Sequence, residues 1–178
     1  MAIRYDKINL SDLGVRAEVA RFDARGEVTE WHVMLHVEPR CDLFQKQMQR
    51  IYEAEDRLTG MPGFEGSRYV MKRYFLSDST NQQPLMRKQP DISISIIQQQ
   101  PLDGSKIAVW LYMQSHTQVA NENGMVVVSH NGYKHLWKMG MHQHKGDSAW
   151  QTESVLIEYE EALQNFGATL ADNCVRTW

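Results

Sequence analysis

His142 and His144 flank Gln143. On a strand, residues two apart point to the same face, so both imidazoles would face one way. Two imidazoles at that spacing can bind a metal ion or a substrate anion, with His135 or His130 as a third contributor. A zinc site needs three or four ligands, and the sequence offers no compelling further one, so no metal and no cofactor is expected. The competing reading is two exposed histidines near a strand end, just before the Lys145-Gly146-Asp147 turn. His32 and His36 also share a strand face and read as surface or interface residues.

Gly140 sits inside the same run. A glycine within a strand marks either a close approach to the backbone, here by a ligand, or a bulge. Arg73 and Arg176 could each present a guanidinium to a carboxylate, although a solvated strand face would hold them equally well. The ligand-binding candidates are therefore Gly140, His142, His144, Arg176 and Arg73, and no residue is assigned a catalytic role. Carboxylates cluster at Glu53, Glu55, Asp56 and at Glu158, Glu160, Glu161. On amphipathic helices such groups form the solvent face. Trp110 and Tyr112 lie in an apolar strand and read as core or interface. The sequence contains no Gly-rich phosphate loop, no GxSxG elbow and no HExxH, which removes the usual signatures of nucleotide binding and of familiar hydrolases.

The elements that must position these residues follow from periodicity. Short alternating stretches at 3–9 and 15–22 read as strands, Asp23 to Gly26 as a turn, and Val28 to Val37 as a strand with Trp31, Val33 and Leu35 on one face. A helix follows, with Asp42 as its cap, Gln45 completing a capping box and Gly60 ending it. Its stripe is Phe44, Met48, Ile51, Tyr52, Glu55 and Leu58. Tyr69 to Leu76 is the next strand, and the polar segment Ser77 to Pro90, broken by Pro84 and Pro90, reads as a loop with room for one helical turn. Ile92 to Ile96 and Lys106 to Gln114 read as strands, joined into a hairpin by Asp103-Gly104. Asn121 to Gly124 is a turn, and Asn131-Gly132 closes a hairpin between a strand starting at Val126 and one over Tyr133 to His144. A second helix is capped by Asp147 or Ser148 and ended by Gly167. Leu170 to Trp178 reads as the start of one more strand.

The chain has 178 residues, 42% apolar and 23% charged, with 19 basic and 22 acidic side chains. That is a soluble globular composition. The longest apolar run, Ile107 to Met113, is far short of the about 20 residues of a membrane helix, so no membrane association is expected. A formal charge of −3 without an aromatic-plus-basic cluster weighs against nucleic acid. Cys41 and Cys174 stand alone, and with no secretory signal the expected location is the cytoplasm.

The order strand, helix, Gly, strand occurs twice. Tyr52-Glu53 and Gly60 recur at equal spacing as Tyr159-Glu160 and Gly167, and Arg73 in MKRYF matches Arg176 in CVRTW. This divides the chain into a first unit, 1–120, and the start of a second, 121–178. Because the second stops before any hairpin, the chain is expected to be a fragment of a longer two-unit protein, or else to borrow strands from a partner.

A strand, a helix ending in Gly, a strand with a basic residue, and the pattern P-L-D-x-x-x-I resemble the RidA/YjgF/L-PSP superfamily. The matching residues are Pro101 to Met113, Tyr133 to Gly140, Gln151-Thr152 and Gly167 to Trp178. The tandem arrangement resembles its chorismatase branch. The resemblance implies an α+β, chorismate-mutase-like mixed β-sheet with helices packed on one face, and homo-oligomeric, trimeric or pseudo-trimeric packing. It also implies a small carboxylated ligand, an enamine, imine or chorismate, in a cleft between units. Some relatives are described as endoribonucleases. The sequence departs from the deaminase pattern: QPDISISII lacks the carboxylate-gripping Arg, and KIAVWLYM lacks the water-orienting Glu. The first unit is therefore not expected to be a RidA-type deaminase, and a non-catalytic assembly unit is the alternative to a hydrolase or lyase.

Overall fold

The computed structural model describes residues 3–24 and 28–174. The predicted turn at Asp23 to Gly26 lies partly outside these residues, and Arg176 lies wholly outside them. Strands β1 (Ile3–Leu10), β2 (Val15–Asp23) and β3 (Thr29–Val37) form an antiparallel meander. Helix α1 (Phe44–Leu58) follows, then β4 (Arg68–Leu76), the single turn α2 (Ser79–Gln82), β5 (Ser93–Gln98) and β6 (Ile107–Gln114). These six strands make one mixed sheet in the order β1-β2-β3-β6-β4-β5. A second antiparallel sheet, β7 (Gln118–Glu122), β8 (Met125–His130) and β9 (Tyr133–Trp137), precedes α3 (Ser148–Gln164) and α4 (Leu170–Asn173). The architecture is α+β.

Alternation sets the two faces of the large sheet. Trp31, Val33, Leu35 and Val37 of β3 and Val109, Leu111 and Met113 of β6 are buried with Phe44, Met48, Ile51 and Leu58 of α1 in the main core. β6 is apolar almost throughout because both its faces are covered: Tyr112 joins Val70, Met71, Val126 and Val128 in a second core on the opposite face. There β8 and β9 pack on the back of β4 and β6. α1 and the small sheet thus sandwich the large one.

A register shift between Tyr69 and Met71 in the β4–β6 ladder has a large consequence. A bulge inserts one residue and reverses the inside–outside parity beyond it. Tyr69 before the shift and Lys72 and Tyr74 after it consequently all face α1, while Met71 and Arg73 face the small sheet.

Four expectations are corrected. The β5–β6 hairpin does not form: β5 runs parallel to β4, and β6 pairs with β3 and β4 instead. Gly104 does make its turn, at φ +81°, but the connection carries the chain across β4, and Ser77 to Pro90 is the crossover that a parallel pair requires. Leu170 starts a helix, not a strand, because Thr169 accepts a bond from the Asp172 N–H and caps it. The helices do not share one face, since α1 covers one side of the large sheet and α3 borders a cavity on the other. Asp42 does not cap α1; Leu43 occupies that position without a side-chain bond, and Asp42 pairs with Arg50 at 2.9 Å.

Candidate functional site

The even-numbered residues of β3 and β6 point away from α1, and toward one end of the two strands they are polar or aromatic: Glu30 and His32 on one strand, Trp110, Tyr112 and Gln114 on the other. His32 lies directly across from Tyr112 in the ladder. Their rings stack at 4.8 Å with an interplanar angle of 25°. Trp110 donates from Nε1 to His32 Nδ1 at 3.2 Å, so in this arrangement Nδ1 is an acceptor and the ring proton sits on Nε2. Trp137 of β9 tilts against Tyr112 at 5.3 Å, and Arg73 lies over the Trp110 ring at 5.7 Å. The result is a ladder of π faces across two sheets.

The ladder walls a cavity of about 930 Å³ between the large sheet, β9 and the C-terminal end of α3. This is the size range of small-molecule pockets. Glu30 and Tyr112 stand at its wall, Lys134, His135 and Lys138 line it from β9 and just beyond, and Tyr159 of α3 and Phe166 just after that helix close it. Tyr112 donates to Glu30 Oε2 at 3.0 Å and accepts from Gln114 Nε2. Burial, with the Glu30 carboxylate adding to it, pushes the Tyr112 phenol well above its ordinary value. Tyr112 therefore stays protonated and fixes the carboxylate as an acceptor. Burial also lowers the His135 pKa, and the neighbouring His130 lowers it further against the opposing charge of Glu30. His135 is thus a neutral imidazole at pH 7. Lys134 reaches Glu122 at 3.7 Å and Lys138 reaches Glu158 at 3.6 Å. Such partly exposed pairs are weak enough to reorganise around an incoming carboxylate.

The predicted site residues fall elsewhere. β9 ends at Trp137, short of the expected His144. Gly140, at φ +72°, lies against β5, where an added Cβ would stand 2.9 Å from the Ile94 carbonyl oxygen. Its close approach is to the chain's own backbone. His142 Nδ1 is 2.8 Å from the Gly140 oxygen, and the His142 and His144 rings meet edge-on at 4.6 Å. These three residues form one exposed cluster outside the cavity lining. Arg73 flanks the ladder through Trp110. Among the described residues no group of three or more His, Cys, Asp or Glu side chains is placed to hold a metal ion. The alternation of Glu30 with His32 and of Trp110 with Tyr112 was the available signal for the cavity wall. It does not by itself say which face is open.

On the α1 side the same residue types are sealed. Glu55, read from sequence as solvent-facing, is fully buried. Its Oε2 accepts from Lys72 Nζ at 2.7 Å and its Oε1 from the Tyr74 hydroxyl at 2.8 Å. Gln89 closes the circuit, accepting from Lys72 at 2.7 Å and donating to Tyr74 at 3.2 Å. Arg87 reaches Glu55 at 3.1 Å and lies over the Tyr52 ring. Burial lowers the Lys72 pKa, with Glu55 opposing. The circuit pins the β4–β5 crossover to α1.

Comparison with protein-family models, with curated proteins and with solved structures finds no match for this chain. Among the described residues no helix is long and apolar enough to cross a membrane.

Proposed function

We propose that this chain is a RidA/chorismatase-like protein, with a chorismate-mutase-like sheet and a homo-oligomeric assembly, that binds and converts a small carboxylated metabolite in the cavity behind the large sheet. The observation that carries the reading is the His32–Trp110–Tyr112–Trp137 ladder opening onto a cavity lined by two lysines. Flat, unsaturated ligands gain offset stacking on such rings, and Lys134 and Lys138 supply the positive charge a carboxylate needs. Glu30, oriented by Tyr112, is the group best placed to take a proton. In this reading Tyr112 is a positioning residue.

Calorimetric titration with chorismate, benzoate and pyruvate tests it. Binding of an unsaturated carboxylate, weakened at least tenfold in Trp110→Ala, is expected. Absence of heat with every ligand, or a Trp110→Ala variant that binds like the wild type, would overturn it. Release of pyruvate from chorismate, lost in Glu30→Gln with binding retained, would establish conversion; binding without pyruvate or ammonia release would reduce the function to binding.

One observation favours the assembly reading. Leu156 and Ile157 of α3 are 40% and 53% exposed, with Ala149 and Leu170 beside them in an open apolar groove. A helix face of this kind is normally covered.

A further inference from the structure

β1 is an edge of the six-stranded sheet, and its outer side has no strand partner among the described residues. Most of it is open to solvent, with Ile3 59% and Tyr5 77% exposed. Edge strands present a row of backbone donors and acceptors that another strand can use, and they are commonly guarded by charge. Here the charges are arranged as Arg4-Tyr5-Asp6-Lys7, a cation two residues before an anion.

Two copies of one strand lying antiparallel in a continuous sheet are related by a two-fold axis perpendicular to that sheet. Directly opposed residues must then point to the same face, so odd positions pair with odd and even with even. Every register centred on a residue satisfies this, and the charges of β1 choose among them. Centring on Arg4, Asp6 or Lys7 sets identical charges directly opposite each other, which destabilises a strand pair. Centring on Ile8 sets Asp6 against Leu10. Centring on Tyr5 instead places each Arg4 opposite the Asp6 of the other copy, twice, on the face that carries α1. On the other face the two Tyr5 rings meet across the axis, and Ile3 packs on the aliphatic stem of Lys7.

We propose that the chain self-associates through β1 in the register centred on Tyr5, extending the large sheet across two copies. This contact is independent of the ligand cavity, which lies over β3, β4 and β6. It brings together two edge strands only, so the dimer is a weak one, at or below the small end of specific interfaces.

Site-directed cross-linking tests the register in a Cys41→Ser/Cys174→Ser background. Opposed strand residues have Cα atoms within disulfide range, so Tyr5→Cys is expected to oxidise to a covalent dimer of twice the 20.7 kDa chain mass. Lys7→Cys, displaced along the strand from its counterpart, is the control and is expected to stay monomeric. Sedimentation of the unmodified chain is expected to show a concentration-dependent dimer. That dimer should be lost in Asp6→Arg and recovered in Arg4→Asp/Asp6→Arg. Tyr5 is exposed, so its substitution does not threaten folding. A monomer at every concentration would overturn the proposal. So would equal cross-linking of Tyr5→Cys and Lys7→Cys, a dimer unmoved by Asp6→Arg, or a trimer in which Tyr5→Cys does not cross-link.

Discussion

The two faces of the six-stranded sheet treat ionisable groups in opposite ways. Against α1, Glu55 and Lys72 are 0% and 1% exposed; Lys72, Tyr74 and Arg87 satisfy the carboxylate, and Gln89 bridges Lys72 and Tyr74. On the other face, Glu30, His32 and His135 border a cavity. A buried charge is tolerated only when it is paired and hydrogen-bonded, and the first face meets that condition without room for anything else. The second keeps its acceptor, the neutral His135 imidazole and its lysines within reach of a visitor. Titratable residues therefore mark a sealed core on one side and an open cavity on the other. Burial, rather than residue type, distinguishes them.

The largest effect should come from breaking the sealed face. Lys72→Met leaves Glu55 buried beside a single half-exposed arginine and is expected to cost about 3–5 kcal/mol, read as a lower denaturation midpoint. Glu55→Leu in the same background removes the orphaned charge and should recover most of that loss. If the double variant were no more stable than Lys72→Met, the circuit would not be the source of the cost.

Next in size is the open face. Trp110→Ala should weaken carboxylate binding by tenfold or more, about 1.4 kcal/mol, whereas the Lys72→Met/Glu55→Leu pair should leave affinity unchanged. Equal loss of affinity in both would erase the distinction between the faces.

A smaller effect concerns pH. The folded-state pKa of His135 lies below its ordinary value of 6.5. The unfolded chain consequently binds this proton first, and stability falls as pH drops through about 6.5, levelling off below the folded-state pKa. His135→Gln should flatten that part of the stability–pH curve, measured by urea denaturation at pH 5 and pH 8. An unchanged slope would mean that His135 is as solvated as in the unfolded chain. Least of all, His142→Ala/His144→Ala should change neither stability nor ligand affinity, since both rings are exposed beyond the cavity.

Much of the fold is written in local patterns. The alternation of β3 and the stripe of α1 each identify their buried faces. Asn131-Gly132 closes the β8–β9 hairpin with both residues at positive φ, +49° and +79°. What local pattern does not carry is pairing at a distance. Asp103-Gly104 marks a turn, but nothing within it says that β4 lies between the two strands it joins. The length of the polar stretch before β5 was the better signal for a parallel crossover. Glu55 illustrates a second gap: its position in the helix stripe was apparent, yet its partners lie on β4 and in the crossover, 17 or more residues away. The β4 bulge, which turns Lys72 toward α1, leaves no trace in the alternation. The cavity wall could be read as two alternating strands. Its being open depends on how far β8 and β9 extend over the back of the sheet.

The indole N–H signals of the tryptophans give the most direct test of the division between faces. Trp31 packs on Phe64 on the α1 side, Trp110 and Trp137 border the cavity, and Trp150 is exposed on α3. In a nitrogen-15 NMR titration with chorismate, the Trp110 and Trp137 signals should move together and saturate while those of Trp31 and Trp150 stay in place. Saturable movement of Trp31 or Trp150 without Trp110 and Trp137, or no movement of any of the four, would contradict the account.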